Sequence, residues 1–205
     1  MRSRPSSRLA KTASTPISVA ITGGIGAGKS AALEAFARHG AATISSDDIV
    51  HRILRSDSDV RRELVEHFGP EVICEDGTDR KALGRIVFND PDELEWLEEL
   101  LHPKVVSEYT AWAVQQAALA DPPKLTVTEV PLLYETGAAE RFDVVVVITA
   151  PEHVRKERRP LSDRREDRLL PDEEKLRLAD YSYVNDGTFE ELDAFVADVV
   201  AKLTR

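Results

Sequence analysis

The sequence predicts an α/β fold in three layers, with a parallel sheet covered on both faces by helices. Three observations carry this. Short apolar runs rich in β-branched residues recur along the chain. Segments of helical periodicity separate them, as parallel β-α units require. A segment with four glycines and a lysine follows the first apolar run and leads into the first helix.

The elements follow in chain order. "ISVAIT" (Ile17 to Thr22) reads as a buried strand. Lys29 to His39 reads as a helix stopped by Gly40, and "AATIS" (Ala41 to Ser45) as a second strand. From Asp47 to about Ala120 the chain reads as almost wholly helical. "DVRRELVEHF" and "PDELEWLEELL" repeat apolar residues at three- and four-residue spacing, and Pro91 suits a first helical turn. This block is too long for a simple crossover and is expected to be an insert, residues 48–120, beside the ligand edge of the sheet. Trp96 and Trp112 read as part of its core. "LTVTEV" (Leu125 to Val130) and "VVVVIT" (Val144 to Thr149) are two more buried strands. Arg155 to Arg168 is a dense mixture of basic and acidic residues. "YSYV" (Tyr181 to Val184) reads as a last short strand and Phe189 to Leu203 as a closing helix.

Composition narrows the function classes. The chain has 205 residues, 42% hydrophobic and 31% charged, as expected of a globular protein with one core-bearing domain. No apolar run is long enough to span a bilayer. Cys74 is the single cysteine, so neither an internal disulfide nor a cysteine metal cluster is expected, and a reducing, cytoplasmic setting fits. The net charge of −10 is uneven. Residues 1–15 hold Arg2, Arg4, Arg8 and Lys11 and no acid, and read as a disordered basic tail ahead of a domain over residues 16–205. The acidic body argues against nucleic-acid binding, which needs clustered cations. Nothing in the sequence calls for an obligatory protein partner.

Gly23 to Ser30 matches G-x-x-x-x-G-K-[ST], the phosphate-binding loop, in the required strand-loop-helix context. Glycines let successive N–H groups curl around phosphate oxygens, and the following helix points its positive end at them. Gly24, Ile25, Gly26, Ala27, Gly28, Lys29, Ser30 and Ala31 are the expected nucleotide-binding residues. Lys29 supplies charge to the β- and γ-phosphates, and Ser30 offers a hydroxyl to Mg²⁺. No guanine-reading N-K-x-D element is present, which argues against a GTPase. Asp47 and Asp48, just past the second strand, suit either of two roles. One could accept the proton of an attacking hydroxyl, or "SSDD" could simply cap the next helix, through Ser46 or Asp47.

Four stretches in this order, "TGGIGAGKS", "LGRIVFNDPDELEWLEELLHPKV", "EVPLLYETG" and "ADYSYVNDG", resemble the dephospho-CoA kinase family from about Val19 to the C-terminus. The resemblance implies a P-loop kinase with ATP and Mg²⁺ that phosphorylates the ribose 3′-hydroxyl of dephospho-CoA. It implies Asp47 as base, Lys29 and a lid arginine (Arg158 aligning best) on the transferring phosphoryl, and Glu129 with Ser30 near Mg²⁺. It implies Asn185 beside the adenine, and Leu83, Phe88 and His102 in the acceptor-binding insert. Each also has a plainer reading: Leu83 and Phe88 as core, His102 as a helix-boundary residue before Pro103, Asn185 as a turn residue, Glu129 as a polar strand end. The lid, residues 155–170, is shorter than the family pattern. Further departures are Ser45 for the first aspartate of D-x-D, Ala31 for threonine, and Leu169 near the place of a glutamine. Another hydroxyl acceptor, or a catalytically impaired nucleotide-binding relative, are the alternatives.

Overall fold

The computed structural model describes residues 15–158 and 169–205. Residues 1–14 of the expected tail (1–15) and the middle of the expected lid, residues 159–168, lie outside them. Five strands form a wholly parallel sheet in the order β2-β5-β1-β6-β7: β1 (Ile17–Thr22), β2 (Ala42–Ser45), β5 (Leu125–Glu129), β6 (Val144–Thr149) and β7 (Tyr181–Val184). Central β1 is flanked by β5 and β6, and their inward positions are buried on both faces, as the continuous apolar runs require. Parallel pairing puts the C-terminal ends of β1, β2 and β5 on one edge, with Ser45 and Ile21 in register on either side of Glu129.

One face carries α1 (Lys29–Arg38) and α8 (Phe189–Leu203). Phe36, Leu192, Val196 and Val199 pack there on Val19, Ile21, Val127 and Ile148. Gly40, at φ +85°, ends α1 one residue past its cap, His39. Thr188 and Glu191 form a reciprocal capping box at the start of α8. On the opposite face Leu133, Ala138 and Ala139 cover Ala20, Val145 and Val147, joined by Leu176 of α7 (Asp172–Leu178).

The block after β2 has its own core of Ile49, Ile53, Val60, Leu64, Val72, Leu83, Leu97, Leu101, Val105 and Tyr109. It comprises α2 (Ser46–Ser56), α3 (Ser58–Phe68), α4 (Arg80–Val87) and α5 (Pro91–Ala117). Asp57, Asp79 and Asp90 accept backbone N–H bonds at the starts of α3, α4 and α5. Two features differ from the sequence reading. A two-strand antiparallel ladder, β3 (Ile73–Cys74) with β4 (Gly77–Thr78), interrupts the helices. And α5 runs through Pro103 rather than breaking at His102. Proline withholds one N–H from the helix. Leu97, Leu101, Val105 and Tyr109, buried at four-residue intervals on both sides of it, hold the helix together. Trp96 and Trp112 are half-buried rather than central. Trp96 stacks on His67 (centroids 3.8 Å apart) at the margin of this core.

α6 (Glu152–Arg158) follows β6 directly. α7, which has no counterpart in the sequence reading, precedes β7.

Candidate active site

The loop from Gly23 to Gly28 turns the chain from β1 into α1. Gly23 sits at φ +144°, and a Cβ there would lie 1.8 Å from the Ile148 carbonyl oxygen of β6. Gly28, at φ +98°, caps α1, and a Cβ there would lie 2.1 Å from Asn185 Nδ2. Both glycines are thus demanded by backbone handedness and by close approach. Asn185 Nδ2 donates to the Ala27 carbonyl at 2.8 Å, so the residue after β7 clamps the loop from the side.

Lys29, the first residue of α1, folds back over the loop and donates to the Gly23 and Gly24 carbonyls at 3.2 and 3.0 Å. Burial lowers its pKa from the ordinary lysine value, and Lys175 adds to the fall; Glu129, Asp47 and Asp172 oppose it. Glu129, at the end of β5, is 4% exposed. Burial pushes its carboxyl above the usual glutamate value, and Asp47 and Asp48 add to the rise. Lys29 and a hydrogen bond from Ser30 Oγ, 3.4 Å from Glu129 Oε2, act the other way. A nearly buried acid, a half-buried lysine and a hydroxyl thus share one corner of the fold.

That corner opens into a cavity of about 780 Å³. Ile25, Gly26, Gly28, Lys29, Ser30 and Glu129 line its sheet side, together with Asp47 in the first turn of α2. Phe88 and His102 line the side made by the helical block, with Leu94, Leu97 and Leu101. Ser45 occupies the N-cap position of α2, and no side-chain cap bond is made by it. Asp48 is not on the cavity wall. A smaller cavity of about 390 Å³ begins at Gly28 and Ala31 and is lined by Asn185, Gly187 and Phe189; Arg158 borders both cavities.

Not every expected site residue reaches a cavity. Leu83 is 2% exposed and packed in the core of the helical block, as its helical spacing dictates, and does not line the acceptor-side wall. Phe88, by contrast, is 45% exposed and faces the cavity rather than the core. Gly24 and Ala27 are buried beneath the loop surface. Arg155 Nη1 and Asp172 Oδ1 lie 2.7 and 3.4 Å from where a Cβ on Gly24 would stand. Of the basic cluster, Arg155 packs on the loop, and Arg158 reaches the Gly26 carbonyl at 3.5 Å. Lys156 instead pairs with Glu152 on the exposed face of α6. Sequence reasoning passed over Glu135 on the cavity wall and Lys175 behind it, because a lysine in "DEEKLRL" carries the signature of a solvated helix.

Among the described residues no group of three or more His, Cys, Asp or Glu could hold a metal alone. Ser30 and Glu129 suit a hard cation whose remaining ligands are phosphate oxygens and water. No helix among the described residues is long and apolar enough to cross a membrane.

The family model for dephospho-CoA kinase matches residues 17–191, from the first residue of β1 into α8. The chain belongs to the dephospho-CoA kinase family. It is 36% identical over 203 residues to the dephospho-CoA kinase of Thermobifida fusca, covering 92% of this chain and 97% of that one. A Thermus thermophilus crystal structure superposes with a TM-score of 0.74 at 32% identity, covering 93% of this chain and all of the other. The Campylobacter jejuni dephospho-CoA kinase does so with a TM-score of 0.64 at 28% identity, covering 91% and 97%. Family members are ATP-using kinases, and the α/β sheet order described above is theirs.

Proposed function

We propose that this member of the dephospho-CoA kinase family transfers the γ-phosphoryl of ATP to the ribose 3′-hydroxyl of dephospho-CoA, with the following division of labour. The phosphates of ATP lie against the N–H groups of residues 23–30, and the base extends over Gly28 and Ala31 into the smaller cavity beside Asn185. Lys29, already within reach of the loop carbonyls, turns its ammonium to the β- and γ-phosphates; Glu129 and Asp47 favour its charged form in a site whose burial disfavours it. Ser30 and Glu129 hold Mg²⁺, which when bound neutralises phosphate charge.

Dephospho-CoA occupies the larger cavity, between the helical block and the ends of β1 and β5, in contact with Phe88 and His102. Asp47 stands at the entry of α2, between the phosphate loop and that space. It accepts the proton of the 3′-hydroxyl as the hydroxyl oxygen bonds to the γ-phosphorus and the bond from that phosphorus to the ADP oxygen breaks. Arg158, bordering both cavities, places a fixed cation beside the transferring group. Little covalent chemistry falls to the protein, so positioning and charge carry the rate.

The observation that supports this reading most is the convergence of Lys29, Ser30, Asp47 and Glu129 on a single cavity whose far wall is the helical block. The test is ADP release by the purified protein with MgATP, with and without dephospho-CoA, and the mass of the product. Strong stimulation and a product heavier by one phosphoryl group are expected. ATP binding without stimulated turnover would overturn the assignment of acceptor.

A further inference from the structure

Lys175 is the one lysine of α7, and its side chain is wholly buried. A buried ammonium is costly, and an apolar side chain of similar volume serves stability at least as well. The structure shows what Lys175 is set against. Its Nζ lies 2.9 Å from Glu135 Oε1, and the angles there make the contact one of charge rather than an aligned hydrogen bond. The same Oε1 accepts the Leu170 N–H at 2.8 Å. Glu135 itself lines the larger cavity, with Pro131, Leu132 and Thr136 of the same loop.

That loop, residues 130–137, leaves β5 directly after Glu129. It is fixed at its start by the Val130 N–H bonded to the Ile21 carbonyl (2.9 Å) and by Thr22 Oγ1 donating to the Pro131 carbonyl (3.2 Å). Leu133 anchors its middle with no exposed surface. Toward its far end, among the described residues, Lys175 and Leu170 hold the Glu135 side chain from outside the loop. The charge of Lys175 also acts on Lys29, which places the pair within electrostatic range of the phosphate loop.

We infer that Lys175 is a positioning residue: from behind the cavity wall it holds the Glu135 side chain where its carboxyl group accepts a hydroxyl or amide N–H of the acceptor substrate. The inference rests on the kinase reading above. It places acceptor recognition partly on the loop after β5, not on the helical block alone, and gives a reason for a charge the fold would otherwise do without.

Steady-state constants for ATP and for dephospho-CoA test it, in wild type, Lys175→Met, Glu135→Gln and the double variant. Each single variant is expected to raise the KM for dephospho-CoA tenfold or more while leaving the KM for ATP within twofold. The double variant is expected to be no worse than Lys175→Met, because the two side chains act as one unit. A merely structural role predicts a lower Tm with both KM values unchanged, and that result overturns the inference. Should Lys175→Met fail to fold, Glu135→Gln decides alone: an unchanged KM for dephospho-CoA refutes the assignment. Failure of the kinase reading is distinguishable, since wild type itself would then show no ADP release stimulated by dephospho-CoA.

Discussion

Replacing Asn185 with alanine tests whether the phosphate loop is held in its binding shape from outside its own segment. Asn185 is 5% exposed and its Nδ2 donates to the Ala27 carbonyl at 2.8 Å. Ala27 has no exposed surface, so water cannot readily take the place of the amide. Losing a buried neutral hydrogen bond and leaving its acceptor unpaired costs about 1–3 kcal/mol. For a domain of this size each kcal/mol is worth about 2–4 °C, so a central value of about 2 kcal/mol lowers Tm by about 4–8 °C. If most of that free energy holds the loop, ATP affinity falls by about 30-fold. Asn185→Asp is the sharper perturbation. It sets a second acceptor against the Ala27 carbonyl and adds negative charge near the phosphates, so ATP binding should fall further than in Asn185→Ala. Scanning calorimetry and isothermal titration with MgATP measure both quantities. A Tm within 1 °C of wild type, as an order-of-magnitude threshold, together with unchanged ATP affinity in Asn185→Ala, would refute the clamp.

Four further outcomes are expected. Asp47→Asn should keep ATP binding by titration while lowering turnover by roughly 10²–10⁴-fold, and near-normal turnover would remove Asp47 from the mechanism. Gly23→Ala should cost more than about 4 kcal/mol, because its Cβ meets the Ile148 carbonyl at 1.8 Å; Gly40→Ala, also at positive φ but with nothing within 4 Å, should cost only the backbone strain of about 1–2 kcal/mol. Equal losses in thermal melts would contradict the steric argument. Leu83→Ala should cost about 2–5 kcal/mol of stability and leave the KM for dephospho-CoA unchanged in the folded protein, since Leu83 lies in the core. Asp193 of α8 accepts from Arg38 and then His39 at the end of α1, and these bonds lower its carboxyl below the ordinary 3.8. Its stabilisation is therefore present above that value and lost as pH falls through the folded one. Wild type should melt above Asp193→Asn at neutral pH, and the gap should close on acidification; a gap independent of pH would exclude this linkage.

Much of this molecule is written locally. The strands β1, β6 and β7 and the helix α8 lie at the bounds read from apolar runs and helical spacing, because burial of one face repeats at a fixed period along the chain. The phosphate loop is equally local. Its glycines, lysine and serine are consecutive, and strand-to-helix geometry alone brings them to one point. Phe88 shows the limit. Its spacing suits a core residue as well as a cavity residue, and the fold leaves it at the C-cap of α4, exposed on the cavity wall. Pro103 shows another, since the local rule ends a helix there, and the long apolar face of α5 outweighs it.

What the sequence by itself determined is the α/β class, the glycine-rich strand-to-helix loop with Lys29 and Ser30, and the acid placed just beyond β2. What only the tertiary structure decided is who supports them. Asn185 meets Ala27 across 158 residues of chain. Glu129 comes between Ser45 and Ile21 by strand pairing, and Lys175, with no exposed surface, reaches Glu135 of the loop after β5 from α7. Such pairings carry no local period, and a buried lysine is written with the same letter as a solvated one. Its environment is set by which distant segments fold against it.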